Sequence, residues 1–172
     1  MKRTIGLIVG LSAIAPAYAG DVQDADKTVQ LFKNTDPGLG HFFKDSAGYA
    51  VFPNVGKGGL GIGGAHGSGI LYEHGKPVGK TTLTQVTIGL QMGGQAYAEI
   101  IFFETDKVLS NFKGGNFEFS GQVSAVAVRA GASANAKYRD GVAVFTATRG
   151  GLMFEASVGG QKFSYEPLGK KK

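Results

Sequence analysis

The sequence lacks cysteine and tryptophan, has five prolines, and draws only 18% of its 172 residues from the charged types. Without cysteine the chain has no disulfide, no thiolate nucleophile and no cysteine-ligated metal. It also has no cysteine that a bacterial lipoprotein could acylate. After the N-terminal region, no segment is long and apolar enough to predict a membrane helix.

The N-terminus has the pattern of a secretory signal peptide. Lys2 and Arg3 precede a short apolar stretch at residues 5–14, and a small-x-small motif ends at Ala19. The apolar stretch is too short to span a bilayer, so we predict cleavage after Ala19 and a periplasmic or secreted protein, with peripheral membrane association possible. An uncleaved anchor is the alternative. The mature chain would be residues 20–172, predicted to form a single domain.

The positive charge lies near the chain ends. Removing Lys2 and Arg3 from the formal net charge of +5 leaves +3, which matches the three lysines of the tail at 170–172. The folded body is therefore near neutral. Because basic and aromatic residues do not interleave along any one element, nucleic acid is not predicted as a partner.

The hydrophobic pattern predicts an α+β fold. Residues 21–33 have the spacing of an amphipathic helix, residues 38–46 that of a short helix or turn, and a short mid-chain helix should begin at Thr105 and end at Gly114. Most of the rest alternates as strands of a bent, antiparallel, open-barrel-like sheet. The predicted strands after residue 85 cover 86–92, 96–103, 117–128, 142–148, 152–158 and 162–165.

The glycine-rich stretch at residues 47–72 is the most informative part of the sequence. An apolar strand at 49–52 is expected to break at Pro53, and Gly-x-Gly alternation then leads into a second strand at 70–72. Alternate glycines remove side chains from one face of a strand. A bend, another backbone or a ligand must therefore approach that face closely.

Two glycine motifs resemble phosphate-binding loops but lack the necessary context. Gly59, Gly61 and Gly64 have dinucleotide-fingerprint spacing, and Gly79 precedes a Lys-Thr pair. Both are followed by strand patterns, whereas each motif must open a helix. Neither predicts a nucleotide site.

No set of residues predicts catalysis. His41, His66 and His74 lack the spacing of a metal site, and Ser68 lacks the full nucleophile-elbow pattern. The acids are spread over separate strands. We therefore predict a non-enzyme without metal or cofactor, and a hydrolase ranks third among the functions considered.

Aromatic and basic residues of the helical region are candidates for membrane contact. Phe42 and Phe43 lie beside Lys33 and Lys44, and rings at the headgroup boundary next to cations form an interfacial binding mode. The alternative places both rings in the core. Lys57 lies in the predicted glycine-rich turn, where its amine and bare amides could meet a phosphate; the alternative is a solvated lysine.

Four segments resemble the SYLF lipid-binding domain family, including its bacterial secreted members. The specific features are AVFP-x-x-x-K-G-G and the later Arg-Gly-Gly-Leu-Met run at 149–153. The likeness covers nearly the whole mature chain, at residues 36–72, 86–115, 123–133 and 144–163.

The resemblance implies binding of anionic phospholipid headgroups through the amphipathic N-terminal region and a basic surface. Some eukaryotic relatives also bind actin, which an exported protein would not meet. Phosphoinositides are scarce in bacteria, so the expected lipid is phosphatidylglycerol, cardiolipin or another lipid. We predict a non-catalytic phospholipid-binding protein of the bacterial cell envelope. The alternative is a structural module of the envelope that binds a protein partner.

Overall fold

The computed structural model describes residues 16–58, 62–88, 96–148 and 158–169. Three α-helices lie in these ranges: α1 (Pro16–Thr35), α2 (Gly40–Asp45) and α3 (Asp106–Lys113). Short 3-10 helices occupy Pro37–Leu39 and Ala132–Asn135. The strands are β1 (Gly48–Gly58), β2 (Ile62–Glu73), β3 (Lys76–Ile88), β4 (Ala96–Phe103), β5 (Phe117–Glu118), β6 (Ala125–Ala127), β7 (Val142–Thr148) and β8 (Lys162–Pro167).

The eight strands form one curled, open half-barrel sheet in the order β5-β8-β3-β2-β1-β4-β7-β6. The predicted α+β class, with an N-terminal helical region and a short mid-chain helix, is confirmed. One pairing differs from the all-antiparallel prediction, because β6 runs parallel to β7. The chain enters β6 from the far side of the sheet, after β5 has paired with β8.

Hydrophobic side chains are buried on both faces of the sheet. One cluster, which we call the inner cluster, includes Phe103 of β4, Phe112 of α3 and Phe163 of β8. The other, which we call the outer cluster, includes Phe102 of β4 and Phe145 of β7 beneath the N-terminal helices. Strand β4 is buried from its second residue to its last, which confirms the interpretation of its continuous apolar run as a strand covered on both sides.

Helix α1 covers the outer cluster with the apolar stripe that the sequence predicts. Val22, Ala25, Val29 and Phe32 recur at helical spacing, and all four are buried. The helix runs from Pro16 to Thr35 and so includes the predicted cleavage position at Ala19.

Strand β1 does not end at Pro53. It continues to Gly58, and the register with both neighbouring strands shifts between Val51 and Val55. Proline cannot donate a ladder hydrogen bond, and a bulge accommodates it within a longer strand.

The protein's own atoms lie close to the face of β2 from which Gly69, opposite this bulge, has removed a side chain. A Cβ atom at Gly69 would lie 2.5 Å from the Val51 carbonyl oxygen and 2.7 Å from the Phe52 ring. Another backbone and an aromatic ring therefore occupy the space that a side chain would take. The predicted close approach is made by the protein itself.

Helix α3 begins and ends where the sequence indicates. Thr105 is its N-cap, and the threonine hydroxyl accepts a hydrogen bond from the Val108 amide at 3.3 Å. Gly114 is the C-cap. Leu109 and Phe112 pack into the inner cluster.

The strand predicted at 117–128 is wrong in its middle. Only Phe117–Glu118 and Ala125–Ala127 are strands, because the chain turns between them and the two pieces join opposite edges of the sheet. Several other predictions concern segments that lie wholly or mostly outside the described residues: the signal peptide up to residue 15, the Gly59–Gly61 part of the fingerprint, residues 89–92, the strand at 152–158 and the tail at 170–172.

We expect Gly69→Ala to destabilise the fold by about 1–3 kcal/mol, because the methyl group would overlap the Val51 backbone and the Phe52 ring. Gly56→Ala is the matched control in the same hairpin, where nothing lies within 4 Å of an added Cβ. Urea unfolding followed by circular dichroism measures both. Equal stability of the two variants would contradict the close approach.

Candidate functional site

Three helical segments bring the predicted membrane-contact residues to one end of the molecule. Lys33 lies in the last turn of α1, and Phe43 and Lys44 lie in α2. The intervening 3-10 helix is capped by Asp36, whose carboxylate accepts a hydrogen bond from the Gly38 amide at 3.1 Å. We call Lys33, Phe43 and Lys44 the helical-end patch.

Lys33 and Phe43 are in direct contact. The Lys33 ammonium lies 4.7 Å from the centroid of the Phe43 ring, within the range of a cation–π interaction. The ring is half-buried and packs edge-to-face on Tyr49 and Phe102, with centroids 5.0 and 4.8 Å away. Lys44, the next residue, is exposed. The Phe43 ring therefore contacts one lysine, and a second, exposed lysine follows it in the chain.

Phe42 is part of the core instead of the surface, so the prediction that its ring contacts a membrane is corrected. It is 2% exposed, and its ring lies within 5.4 Å of the rings of Phe102, Tyr138 and Phe145. Because α2 is helical, consecutive residues point about 100° apart, and only one of the two phenylalanines can face outward.

Lys57 does not join the patch, and it does not lie in a turn. It occupies β1, paired opposite Ala65 of β2. It is nine residues beyond Gly48, where β1 begins just after α2, and that spacing corresponds to about 30 Å of strand. Lys57 therefore belongs to the opposite end of the sheet.

The apolar stripe of α1 is also committed to the fold. Two acids on the helix hold it to the sheet: Asp21 pairs with Lys80 at 2.9 Å, and Asp26 accepts a hydrogen bond from the Tyr72 hydroxyl at 2.6 Å. Burial and the Asp26 carboxylate raise the pKa of Tyr72 above its usual value, so this tyrosine stays a hydrogen-bond donor. The apolar stripe of α1 is therefore buried against the sheet, and the polar side of the helix faces outward.

Asp36 ties the helical region to the C-terminal half of the chain. Its carboxylate accepts a hydrogen bond from the Ser133 amide at 2.7 Å, in addition to the bond from Gly38. Burial by itself would raise the pKa of Asp36, but the hydrogen bonds from Ser133 and Gly38 outweigh it and hold the pKa below its ordinary value of 3.8. We call these two hydrogen bonds of the Asp36 carboxylate the clamp. The clamp fixes the helical-end patch relative to residues 132–135.

Sequence reasoning missed a polar cluster inside the half-barrel. The Gln161 amide nitrogen lies 3.1 Å from a Glu99 carboxylate oxygen and 3.3 Å from the Tyr97 hydroxyl, and all three residues are buried. Burial, followed by the nearby Glu99 charge, raises the pKa of Tyr97. A lone glutamate within the apolar run AYAEIIFF was the available signal.

Sequence reasoning also missed a groove of about 300 Å³ that lies between α1 and the hairpin of β1 and β2. It is lined by polar groups of both charges, including Asp24, His66 and Lys80. Strand alternation places His66 and Ser68 on the helix-facing side of β2, beyond the part that α1 covers. Across the described ranges, no group of His, Asp and Glu side chains has the arrangement of a metal site. None of the helices described is long and apolar enough to cross a membrane.

Comparison with known proteins identifies a similar family and a relative. Residues 84–167 match the model of the Ysc84 family, described as "Las17-binding protein actin regulator". The chain is also 28% identical, over 138 residues, to "Beta cell expansion factor A" from Aeromonas veronii. That alignment covers 78% of this chain and 51% of the relative, so the chain spans about half the length of that protein. The match to Ysc84, a SYLF domain, confirms the resemblance drawn from the sequence.

We expect Asp36→Asn to destabilise the protein by about 1.5–3 kcal/mol at pH 7, because hydrogen bonds to a charged carboxylate are lost. The folded-state pKa of Asp36 is lowered, so its contribution is present above the unfolded-state pKa and disappears as pH falls through the lower, folded value. The stability gap between wild type and variant should therefore shrink below about pH 4. Urea unfolding from pH 7 to pH 2.5 measures it; a gap that is constant with pH would contradict the charged clamp.

Proposed function

Because residues 84–167 of this chain match the Ysc84 (SYLF) family model, we propose that the protein is a non-catalytic, peripheral lipid-binding protein of the bacterial cell envelope. Family membership indicates a lipid- or actin-binding adaptor role, and Ysc84 is a binding-type family. The proposed partner is lipid, and the proposed contact is the helical-end patch. The envelope location follows from the predicted signal peptide.

The observation that carries the proposal is the geometry of Lys33, Phe43 and Lys44. The half-buried Phe43 ring is held from below by Tyr49 and Phe102, so it presents a rigid edge. Lys33 contacts that ring, and Lys44 follows it in the chain. Aromatic rings favour the headgroup boundary, and each nearby lysine adds about 1 kcal/mol of attraction to an anionic surface.

The mechanism differs from insertion of an amphipathic helix. The stripe of α1 remains in the outer cluster, and the folded protein lies on the bilayer with α2 against the headgroups. Lys33 and Lys44 meet lipid phosphates while the edge of Phe43 reaches the boundary with the acyl chains. Lys57, at the far end of β1, is a candidate for a second and separate contact.

We expect Lys33→Gln/Lys44→Gln to lower the partition coefficient onto phosphatidylglycerol vesicles by about 30-fold at low salt, since two attractions of about 1 kcal/mol each are lost. Vesicle co-sedimentation measures this value. The control is Lys107→Gln/Lys162→Gln, which makes the same charge change on α3 and β8, away from the patch. The control should bind like wild type, and binding of wild type should weaken with added salt.

Phe43→Ala alone should also weaken vesicle binding, because the ring edge that reaches the acyl-chain boundary is removed. The variant should remain folded, because the Phe43 ring is only half-buried. Phe42→Ala is unsuitable as a membrane probe, since loss of a buried aromatic ring costs about 3–5 kcal/mol of stability. Negligible pelleting of wild type with anionic vesicles, or an equal loss in the two lysine pairs, would refute the proposed contact.

A protein-binding adaptor is the second candidate. The observation in its favour is the description of the matched family, "Las17-binding protein actin regulator", which names a binding partner and not a lipid. Wild-type protein that fails to pellet with vesicles of phosphatidylglycerol or of phosphatidylcholine would favour this candidate over the lipid function.

A further inference from the structure

A second groove, of about 590 Å³, lies at the β6–β7 edge of the sheet and shares no residue with the helical-end patch. Its lining comes from three segments, at residues 123–126, 135–140 and 142–145. The volume falls within the range of small-molecule sites, about 300–1,000 Å³.

The groove exists because β6 is too short to cover β7. Strand β6 pairs only with the part of β7 from Val144 to Thr146. The beginning of β7 is paired instead with the preceding loop, where Arg139 and Val142 exchange two backbone hydrogen bonds. Asp140 and Gly141 both adopt positive φ angles, 52° and 80°, which reverses the chain there. A cleft remains between that loop and β6.

The two sides of the groove have different chemistry. Val126, Ala136 and Tyr138 are partly buried and supply an apolar surface that packs on the outer cluster, with Phe145 fully buried beneath it. Lys137 and Arg139 are exposed at the rim, and neither belongs to an ion pair within the part of the chain that the structure describes. The one acid of the lining, Asp140, accepts a hydrogen bond from the Ser120 hydroxyl at 2.7 Å.

Tyr138 limits where a ligand charge can lie. Its half-buried ring stacks edge-on against Phe42, and burial together with the nearby Glu104 and Asp45 carboxylates raises its pKa to about 12. Those carboxylates would repel an anion from the Tyr138 side. The favourable position for negative charge is therefore the exposed rim at Lys137 and Arg139.

We propose that this groove binds a single amphiphilic molecule with one aliphatic chain and an anionic head group. The head group lies at Lys137 and Arg139, where a guanidinium can hold a carboxylate or phosphate through two hydrogen bonds. The chain lies along Val126, Ala136 and the ring of Tyr138. This is a site for one molecule, and it does not depend on the proposed membrane contact.

Charge and size select this occupant over a second copy of the chain or an acidic peptide. A stable protein partner buries about 800 Å² on each side, over 20–30 residues. The groove offers 13 lining residues, a number that suits one small ligand.

Isothermal titration of the full chain with sodium laurate, below the concentration at which laurate aggregates, tests the proposal. Binding should saturate at one molecule per chain. Each methylene removed should weaken binding about fourfold, so decanoate should bind about 15-fold more weakly than laurate and acetate should give no signal. Anion binding without dependence on chain length would overturn the proposal.

Two kinds of variant locate the site. Lys137→Gln/Arg139→Gln should weaken laurate binding at least tenfold, whereas Arg129→Gln, a basic residue outside the lining, should leave it unchanged. Ser124→Trp should fill the exposed side of the groove and abolish binding, while Ser110→Trp on α3 is the matched control. The chain has no tryptophan of its own, so fluorescence of each variant also reports whether laurate reaches its position. Circular dichroism confirms that each variant is folded.

A second arm distinguishes a free fatty acid from a single-chain phospholipid. Monomeric lysophosphatidylglycerol replaces laurate in the same titration, and the tighter of the two is the better match to the head-group site. Saturable binding of either, lost in the Lys137→Gln/Arg139→Gln and Ser124→Trp variants, supports the proposal.

No binding of either probe to wild type, or equal binding in groove and control variants, overturns the proposal. Self-association that the groove variants abolish would assign the groove to a second copy instead. The residues tested here are separate from Lys33 and Lys44, so vesicle binding and amphiphile binding can fail independently.

Discussion

Burial of the Phe42 ring is the contact on which both proposed sites depend. The ring is wedged among Phe102 of β4, Phe145 of β7 and Tyr138 of the loop before β7, and its centroid lies 5.2–5.4 Å from theirs. By fixing α2 on the face of the sheet that carries the outer cluster, it sets which side of Phe43 faces outward. Through Tyr138 and Phe145 it also supports the groove beside β7. The Asp36–Ser133 hydrogen bond completes this junction between the N-terminal helices and the C-terminal half of the sheet.

Local signals were enough to predict much of the fold. The stripe of α1, the Thr105 cap of α3 and the apolar run of β4 each depend on residues close in sequence, and each is confirmed. The proline in β1 was misleading, because its effect depends on whether neighbouring strands can shift register around it. The parallel pairing of β6 could not be predicted from the alternation of apolar and polar residues. That alternation is the same whether a strand runs parallel or antiparallel to its neighbour.

The candidate site was predictable in composition but not in geometry. The residue types of Lys33, Phe42, Phe43 and Lys44 indicate an interface. The orientation of α2, a helix of six residues, decides which of the two rings is exposed. That orientation is set by the contacts of Phe42 with rings that lie far from it in the sequence. The grooves were missed for a related reason: each lies between segments that only the folded sheet brings together, as with Val126 and Arg139.

The shortness of the outermost strands limits how other chains can be recognised. The sheet ends in strands of two and three residues, β5 and β6, while its central strands have 11 to 13. Among the residues that the structure describes, an extended peptide joining the sheet beside β5 or β6 would find only a few backbone groups with which to pair. Fibril-like stacking of copies is disfavoured for the same reason, and molecular recognition by this protein is left to its side chains.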